Sequence, residues 1–380
     1  MSSLILTEDQ LMFRDSVKRF AAERMPVAQL RRLRDSNDDV GFSREVWKAM
    51  AEMGWAGVLV PEEFGGVGFG YVGAGLIAEE IGRNLSATPL LSSAVLGVTA
   101  LVKGGSDAHK QALLSDIAGG SLLAALAIDE RGRHVPYAVA TRATGTAGRF
   151  KLTGKKLHVL DGHVADQLIV SARTSNDVEC RDGITLFLVD PKAPGVTITR
   201  TGIVDSRNAA LVELRDVNVS SEEIVGTLDK GSVVLDAVLD AGRVVLAAEL
   251  LGIAQEAFDR TLTYLREREQ FGVKIGSFQA LQHRAAHLFC EIELTRSVVL
   301  RALQGLDAKE SNASTLVCMA KARASEVARL ATNEAVQMHG GIGMTDDFDI
   351  GFFMKRARAA ADTFGDACYH TDRFAQMSGY

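Results

Sequence analysis

The residues of this 380-residue chain best suited to chemistry lie in two segments, Arg268-Glu-Gln-Phe-Gly272 and Gln337-Met-His-Gly-Gly-Ile-Gly343. A guanidinium fork such as that of Arg268 pairs two phosphate oxygens at fixed geometry, which an ammonium cannot do. Glycines at 340, 341 and 343 let backbone amides approach a ligand closely and form an anion-binding concavity. Each segment also has a plain reading: a solvated helix end whose basic residues meet the dipole, and a glycine-rich C-cap. A third pair, Asp240 and Arg243, reads by spacing as an i, i+3 ion pair on a helix surface, worth about 0.2–0.5 kcal/mol, beside a Gly242 that looks like room made for a ligand. Glycines at 65, 66, 68 and 70 invite a dinucleotide-binding reading, but they follow Pro61 and two acids rather than a buried strand.

Helices must carry these groups. Small and apolar residues recur at helical spacing from about Ser232, and the period resumes at Phe278, Leu281, Ala285 and Leu288, so the Arg268 segment joins two long helices, with Gly272 and Gly276 marking where the first stops. Helical segments at 233–266, 278–306, 313–337 and 350–361 predict an antiparallel four-helix bundle. Within the first, Gly242 and Gly252 cost about 1 kcal/mol each relative to alanine, so a close neighbouring helix or a ligand must need the space. The chain from Thr7 to about 120 is also helical in pattern, opening with a Thr7/Gln10 capping box and continuing with a helix capped by Ser43 and ended by Gly54. Between them, apolar runs at 122–128, 149–152, 157–160, 167–172, 184–189, 196–199 and 210–214 alternate with Gly, Asp, Asn and Pro clusters, which reads as an all-β unit. The expected fold is α+β and mostly α, in three parts: helical at 1–120, β at 121–225 and a helical bundle at 226–380.

Composition excludes several classes. Hydrophobic residues at 47% and charged residues at 24% are ordinary for a globular protein, and a net charge of -6 argues against a nucleic-acid partner. Cys180, Cys290, Cys318 and Cys368 form no metal spacing and read as reduced thiols, which with Glu8 and Asp9 ahead of any apolar run predicts a cytoplasmic protein with no secretory signal. The longest uncharged apolar stretches are far short of a membrane span.

The Arg-x-x-Phe-Gly spacing, followed by Gln279 eleven residues after the arginine, resembles a segment of the acyl-CoA dehydrogenase flavoproteins. Gln337-x-x-Gly-Gly-x-Gly343 is similar to a second motif of that family, and Pro61-Glu-Glu-x-Gly-Gly-x-Gly68 to a loop of its N-terminal helical domain. The resemblance implies a central β-barrel and a C-terminal four-helix bundle. It also implies a tetramer, homomeric or heteromeric, in which each FAD lies across two subunits. Arg268 would grip the pyrophosphate of a neighbour's FAD, Phe271 would pack on its adenosine, and Gln279, Gln337, Gly340 and Gly341 would contact the cofactor. Asp240 and Arg243 match a pair lying along the acyl-CoA channel. Electrons would pass to an electron-transfer flavoprotein or similar acceptor.

The match breaks where the reaction happens. Removing a thioester α-proton requires a carboxylate held dry, with its pKa raised toward neutrality. The family's usual glutamate, twenty-seven residues after Gln337, is replaced by Phe364, and the other seat, immediately before Arg243, is Gly242. Asp366 and Asp362 are the nearest carboxylates. The flavin-facing loop survives only as Asp129-Glu-Arg-Gly132, and the strand that should offer a hydroxyl reads His158-Val-Leu160. Three readings follow: a dehydrogenase whose base has moved, a non-catalytic subunit completing a partner's FAD site in a heteromeric acyl-CoA dehydrogenase, or a ligand-free helical scaffold. Flavoenzymes of the same fold that use oxygen stay open.

Overall fold

The computed structural model describes residues 4–146 and 148–380. They form two compact units, one of Met1–Leu33, Tyr71–Ala87 and Arg243–Tyr380, the other of Arg34–Gly70 and Thr88–Gly242.

The first unit is helical. It holds α1 (Glu8–Arg24), most of α2 (Val27–Asp35) and of α4 (Gly70–Asn84), and the greater part of α7 (Gly231–Glu267). Then come α8 (Gln279–Asp307), α9 (Ala313–His339), α10 (Ile350–Asp362) and α11 (Ala367–Met377). Thr7 caps α1 through the predicted reciprocal bonds with Gln10. The four predicted C-terminal helices are present, and α11 is an addition, begun by the Asp366 side chain accepting from the Tyr369 amide. At Gly252 the space goes to a neighbouring helix: a Cβ there would lie 1.9 Å from the Glu79 carbonyl oxygen on α4. Reciprocally, a Cβ at Gly82 would lie 2.1 Å from the Glu249 carbonyl oxygen. The two backbones cross in direct contact, and only glycine on each side permits it.

The second unit packs α3 (Arg44–Glu52), α5 (Val98–Gly104) and α6 (Asp107–Ala118) with a sheet. Ser43 caps α3 as expected, and Gly54 follows it at φ 81°. The strands are β1 (Ala124–Ala127), β2 (Arg142–Thr146), β3 (Arg149–Leu160), β4 (Gln167–Arg173), β5 (Ile184–Val189), β6 (Val196–Gly202), β7 (Asn208–Ser220) and β8 (Ile224–Val225), paired in the order β6-β7-β3-β2-β4-β5-β8 with β1 alongside β4. This corrects the expected barrel. The sheet is open, with β6 and β8 as its ends, because the two-residue β8 runs out before it can pair onward and, among the described residues, no strand pairs with the far side of β6. Closure needs a consistent tilt and stagger around the whole circuit, and strand count does not supply that. The runs 149–152 and 157–160 prove to be one strand, bulged between Lys156 and Val159, where His158 takes φ 52°. Its core gathers Leu152, Leu168, Val170, Phe187, Val212 and Val217.

Candidate functional site

α7 stops at Glu267, and the chain folds into a short hairpin, β9 (Glu269–Gln270) with β10 (Val273–Lys274). Phe271 and Gly272 form its turn at φ 57° and 77°. Both central residues left-handed is the hairpin turn whose twist suits the flanking strands, but phenylalanine is a poor occupant, costing on the order of 1–2 kcal/mol. Gly272 therefore serves the turn rather than the end of α7. The Phe271 ring is 90% exposed and meets Phe278 edge-on at 6.2 Å. A large ring displayed on a strained turn does nothing for this chain's own core. Lys274 engages Glu269 at 2.6 Å, whereas the exposed Arg268 side chain has no ion pair among the described residues. Gln279, also exposed, opens α8 with no side-chain cap ahead of it.

The second motif ends α9. Gln337 is exposed, His339 is buried, and Gly340 turns the chain at φ 65° into a short 3-10 segment, Gly340–Met344. The three glycines have different reasons to be there. Gly340 needs its backbone angle, and Gly343 is squeezed, since a Cβ there would lie 2.9 Å from the Cβ of His339. Gly341 has neither constraint: among the described residues nothing lies within 4 Å of where its Cβ would be. Its lack of a side chain is unused by the fold and leaves the backbone open to a ligand such as a diphosphate.

The two motifs, which begin at Arg268 and Gln337, come together through the residues beside them. The Tyr264 ring, one turn before Arg268, stacks on the His339 imidazole, one residue before Gly340, at 4.4 Å between centroids and 25° between planes. Phe348 meets both rings, at 6.2 and 5.0 Å. Around them, Arg31 and Arg260 each reach Asp349 at 3.0 Å, and Arg31 also holds Asp346. His339 is thus a packed residue. Burial pushes its pKa down, and it is neutral at pH 7.

At the position where the resemblance leads one to expect a base, the structure places a packed aromatic ring. Phe364 is buried at φ 58° and is followed by Gly365 at φ 105°. Its carbonyl accepts from Arg243 Nε at 3.1 Å and lies 3.1 Å from His370 Nε2. Lys321, wholly buried, donates to the Ala361 carbonyl at 2.7 Å, the Gly365 carbonyl at 3.0 Å and Ser325 Oγ at 3.4 Å. Burial lowers the Lys321 pKa to about 7 and that of His370 to about 2, with the nearby Arg243 charge acting the same way on both. Arg243 and Asp240 are both buried, so the surface ion pair is excluded. Arg243 also donates to the Tyr369 hydroxyl at 3.2 Å. Asp366 is exposed, with its carboxylate engaged as the cap of α11. Sequence reasoning missed Lys321 and His370. The signal for Lys321 was available: it interrupts the apolar stripe of Val317, Ala324 and Ala328 on α9.

In the second unit, the loop and strand expected to face a flavin are tied to each other. Lys156, fully buried, reaches Glu130 Oε1 at 2.5 Å and Ser171 Oγ at 2.9 Å. Glu130 in turn accepts from the Ala140 and Thr141 amides at 2.7 and 3.1 Å. Burial raises the Glu130 pKa, but Lys156 and these bonds outweigh it, and the carboxyl stays ionised. The Leu157 amide donates to the Asp129 carbonyl at 2.7 Å, closing the loop on the strand.

The acyl-CoA dehydrogenase N-terminal, middle and C-terminal domain families match residues 7–121, 115–217 and 229–376 respectively. A probable acyl-CoA dehydrogenase, YngJ of Bacillus subtilis, is 33% identical over 362 residues, 93% of each chain. The mitochondrial isovaleryl-CoA dehydrogenase of Pongo abelii is 32% identical over 364 residues, 93% of this chain and 84% of that one. Among solved structures, a chain of the ChsE4-ChsE5 complex from Mycobacterium tuberculosis superposes with a TM-score of 0.89 at 26% identity, covering 100% of both chains. The chain belongs to the acyl-CoA dehydrogenase family, an oxidoreductase family whose members are FAD-dependent flavoproteins. Among the described residues, no helix is long and apolar enough to cross a membrane, and no group of acidic, histidine or cysteine side chains is arranged to hold a metal.

Proposed function

We propose that this chain completes the FAD site of a partner subunit in a heteromeric acyl-CoA dehydrogenase. The observation that carries this reading is the turn at 361–365. Where a base would stand is a buried Phe364, and the backbone around it is held by Arg243, Lys321 and His370. Phenylalanine accepts no proton, and a turn held by buried donors from α7, α9 and α11 does not readily swing another carboxylate into its place. The Lys156–Glu130 pair supports the same reading, since the loop and strand that would face a flavin spend their polar groups on each other.

The residues facing outward fit the nucleotide half of FAD. Arg268 would pair with the pyrophosphate, and Phe271 would pack against the adenosine. Gln279, Gln337 and the open backbone of Gly340 and Gly341 would supply polar contacts. The chemistry FAD supplies when bound is acceptance of the β-hydride of an acyl thioester. Asp240 and Arg243 belong to this chain's counterpart of the acyl-CoA channel, where Arg243 is committed to the Phe364 turn. The functional division is 1–120, 121–225 and 226–380, the assembly a tetramer in the cytoplasm, and the electron acceptor an electron-transfer flavoprotein or a similar carrier.

A second reading is favoured by the exposure of Asp366 two residues beyond Phe364: a chain that is catalytic on its own, with a displaced base. Purifying the chain alone and together with a homologous subunit separates the two. Bound FAD and acyl-CoA oxidation only in the mixture support the first. A yellow chain that is bleached alone by an acyl-CoA, and whose Asp366→Asn variant loses turnover, sinks it.

A further inference from the structure

We infer that His339 is the positioning residue of the diphosphate site, its ring fixing Arg268 and the Gly340–Gly341 run at one spacing. This rests on the FAD reading above and adds how two distant segments are held to serve it.

The imidazole is set from both sides. On its own helix, His339 Nδ1 lies 2.7 Å from the Ala335 carbonyl, so Nδ1 carries the proton and orients the ring. Across from it, Tyr264 stacks at 4.4 Å, and Phe348 closes the side at 5.0 Å. Below, Ala257, Ala335 and Ile350 form a small core against which Val336 and Phe348 pack. Arg268 follows Tyr264 by one turn, and its amide donates to the Tyr264 carbonyl at 2.9 Å. The guanidinium's root is therefore bonded to the residue that the imidazole touches. Gly340 follows His339 directly, and Gly343 has no side chain because the His339 Cβ occupies that space.

The ring is a costly choice for stability alone. Its Nε2 is buried with no hydrogen-bond partner among the described residues, and a bare buried acceptor is destabilising. The Ala335 carbonyl does not depend on it, since the helical amide of residue 339 already reaches that oxygen. What the imidazole adds over an aliphatic residue is a flat face of fixed orientation between two ligand-gripping segments. Binding two phosphate oxygens requires such groups to be held to within about half an ångström.

The test uses the full chain in whatever assembly it purifies, with FAD release followed by fluorescence and the melting of FAD-stripped protein as a control. His339→Ala is expected to weaken FAD binding about tenfold or more, while His339→Phe, which keeps a flat ring, stays within about threefold. Should His339→Ala not fold, Tyr264→Leu removes the same stack from the other side and is expected to show the same loss. Combining His339→Ala with Arg268→Gln is expected to lose less than the product of the two single losses, because both act on one contact. FAD retention by His339→Ala equal to wild type, equal losses for the alanine and phenylalanine variants, or strict multiplication in the double variant each overturn the inference. A wild-type assembly that binds no FAD overturns the functional reading beneath it, and needs no variant to be seen.

Discussion

Lys321 is the residue at which burial and charge conflict most openly. Its ammonium has only neutral acceptors within hydrogen-bond reach, so the folded chain gives up the proton at about pH 7, against 10.5 for an ordinary lysine. Between these values the unfolded chain binds the proton and the folded one does not, so stability rises with pH through that window. Below about pH 7 both states are protonated and this contribution is absent. The Lys321→Met variant should lose this rise, seen as a gap between its melting temperature and that of the wild type that widens as pH is raised across the window. Near pH 7 it should also be less stable by about 1–3 kcal/mol, because the Gly365 carbonyl is left without its donor. His370 acts in a lower range: its folded pKa near 2 means that stability falls as pH drops below its ordinary 6.5.

At the scale of elements, the contact of α7 with α4 leaves no tolerance. Gly252→Ala would improve helix propensity by about 1 kcal/mol, but its Cβ would sit 1.9 Å from the Glu79 oxygen, and overpacking of a fixed backbone typically costs about 1–3 kcal/mol or more. The net expectation is destabilisation, read as a lower denaturant midpoint, and an unchanged or raised midpoint would refute the backbone contact. Periodicity had marked this glycine as making room without saying for what. The helices at 233–266, 278–306, 313–337 and 350–361 were legible because apolar residues recur there at a period near 3.6, and β5 was placed residue for residue. α11 was not, since it is short, and its starting cap, Asp366, read as a free carboxylate. β2 escaped as well, being largely exposed and lacking the apolar run that betrays a strand.

For the molecule as a whole, the decisive feature is that its most chemically capable side chains face outward. Arg268, Phe271, Gln279 and Gln337 are all exposed in the isolated chain. Replacing Arg268 with lysine should therefore leave the melting temperature of the FAD-free chain within about 1 °C, since exposed substitutions away from packed features change stability little. FAD retention by the assembly should fall about tenfold, because a single ammonium cannot make the forked contact. A large loss of apo stability would mean that Arg268 serves the fold.

By itself, the sequence determined the family, the order of helical and β segments, and the spacing of the groups that suit a diphosphate, because these depend on local periodicity and residue type. It also raised the expectation, from the resemblance, that Phe364 stands where a base would be. Only the tertiary structure decided that the sheet stays open, that Gly252 yields to a helix, and that Tyr264 meets His339. It alone showed the Phe364 turn held by Lys321 and His370. Each of these is a contact between residues far apart along the chain, set by how helices and strands pack, and no local pattern encodes which distant surfaces will touch.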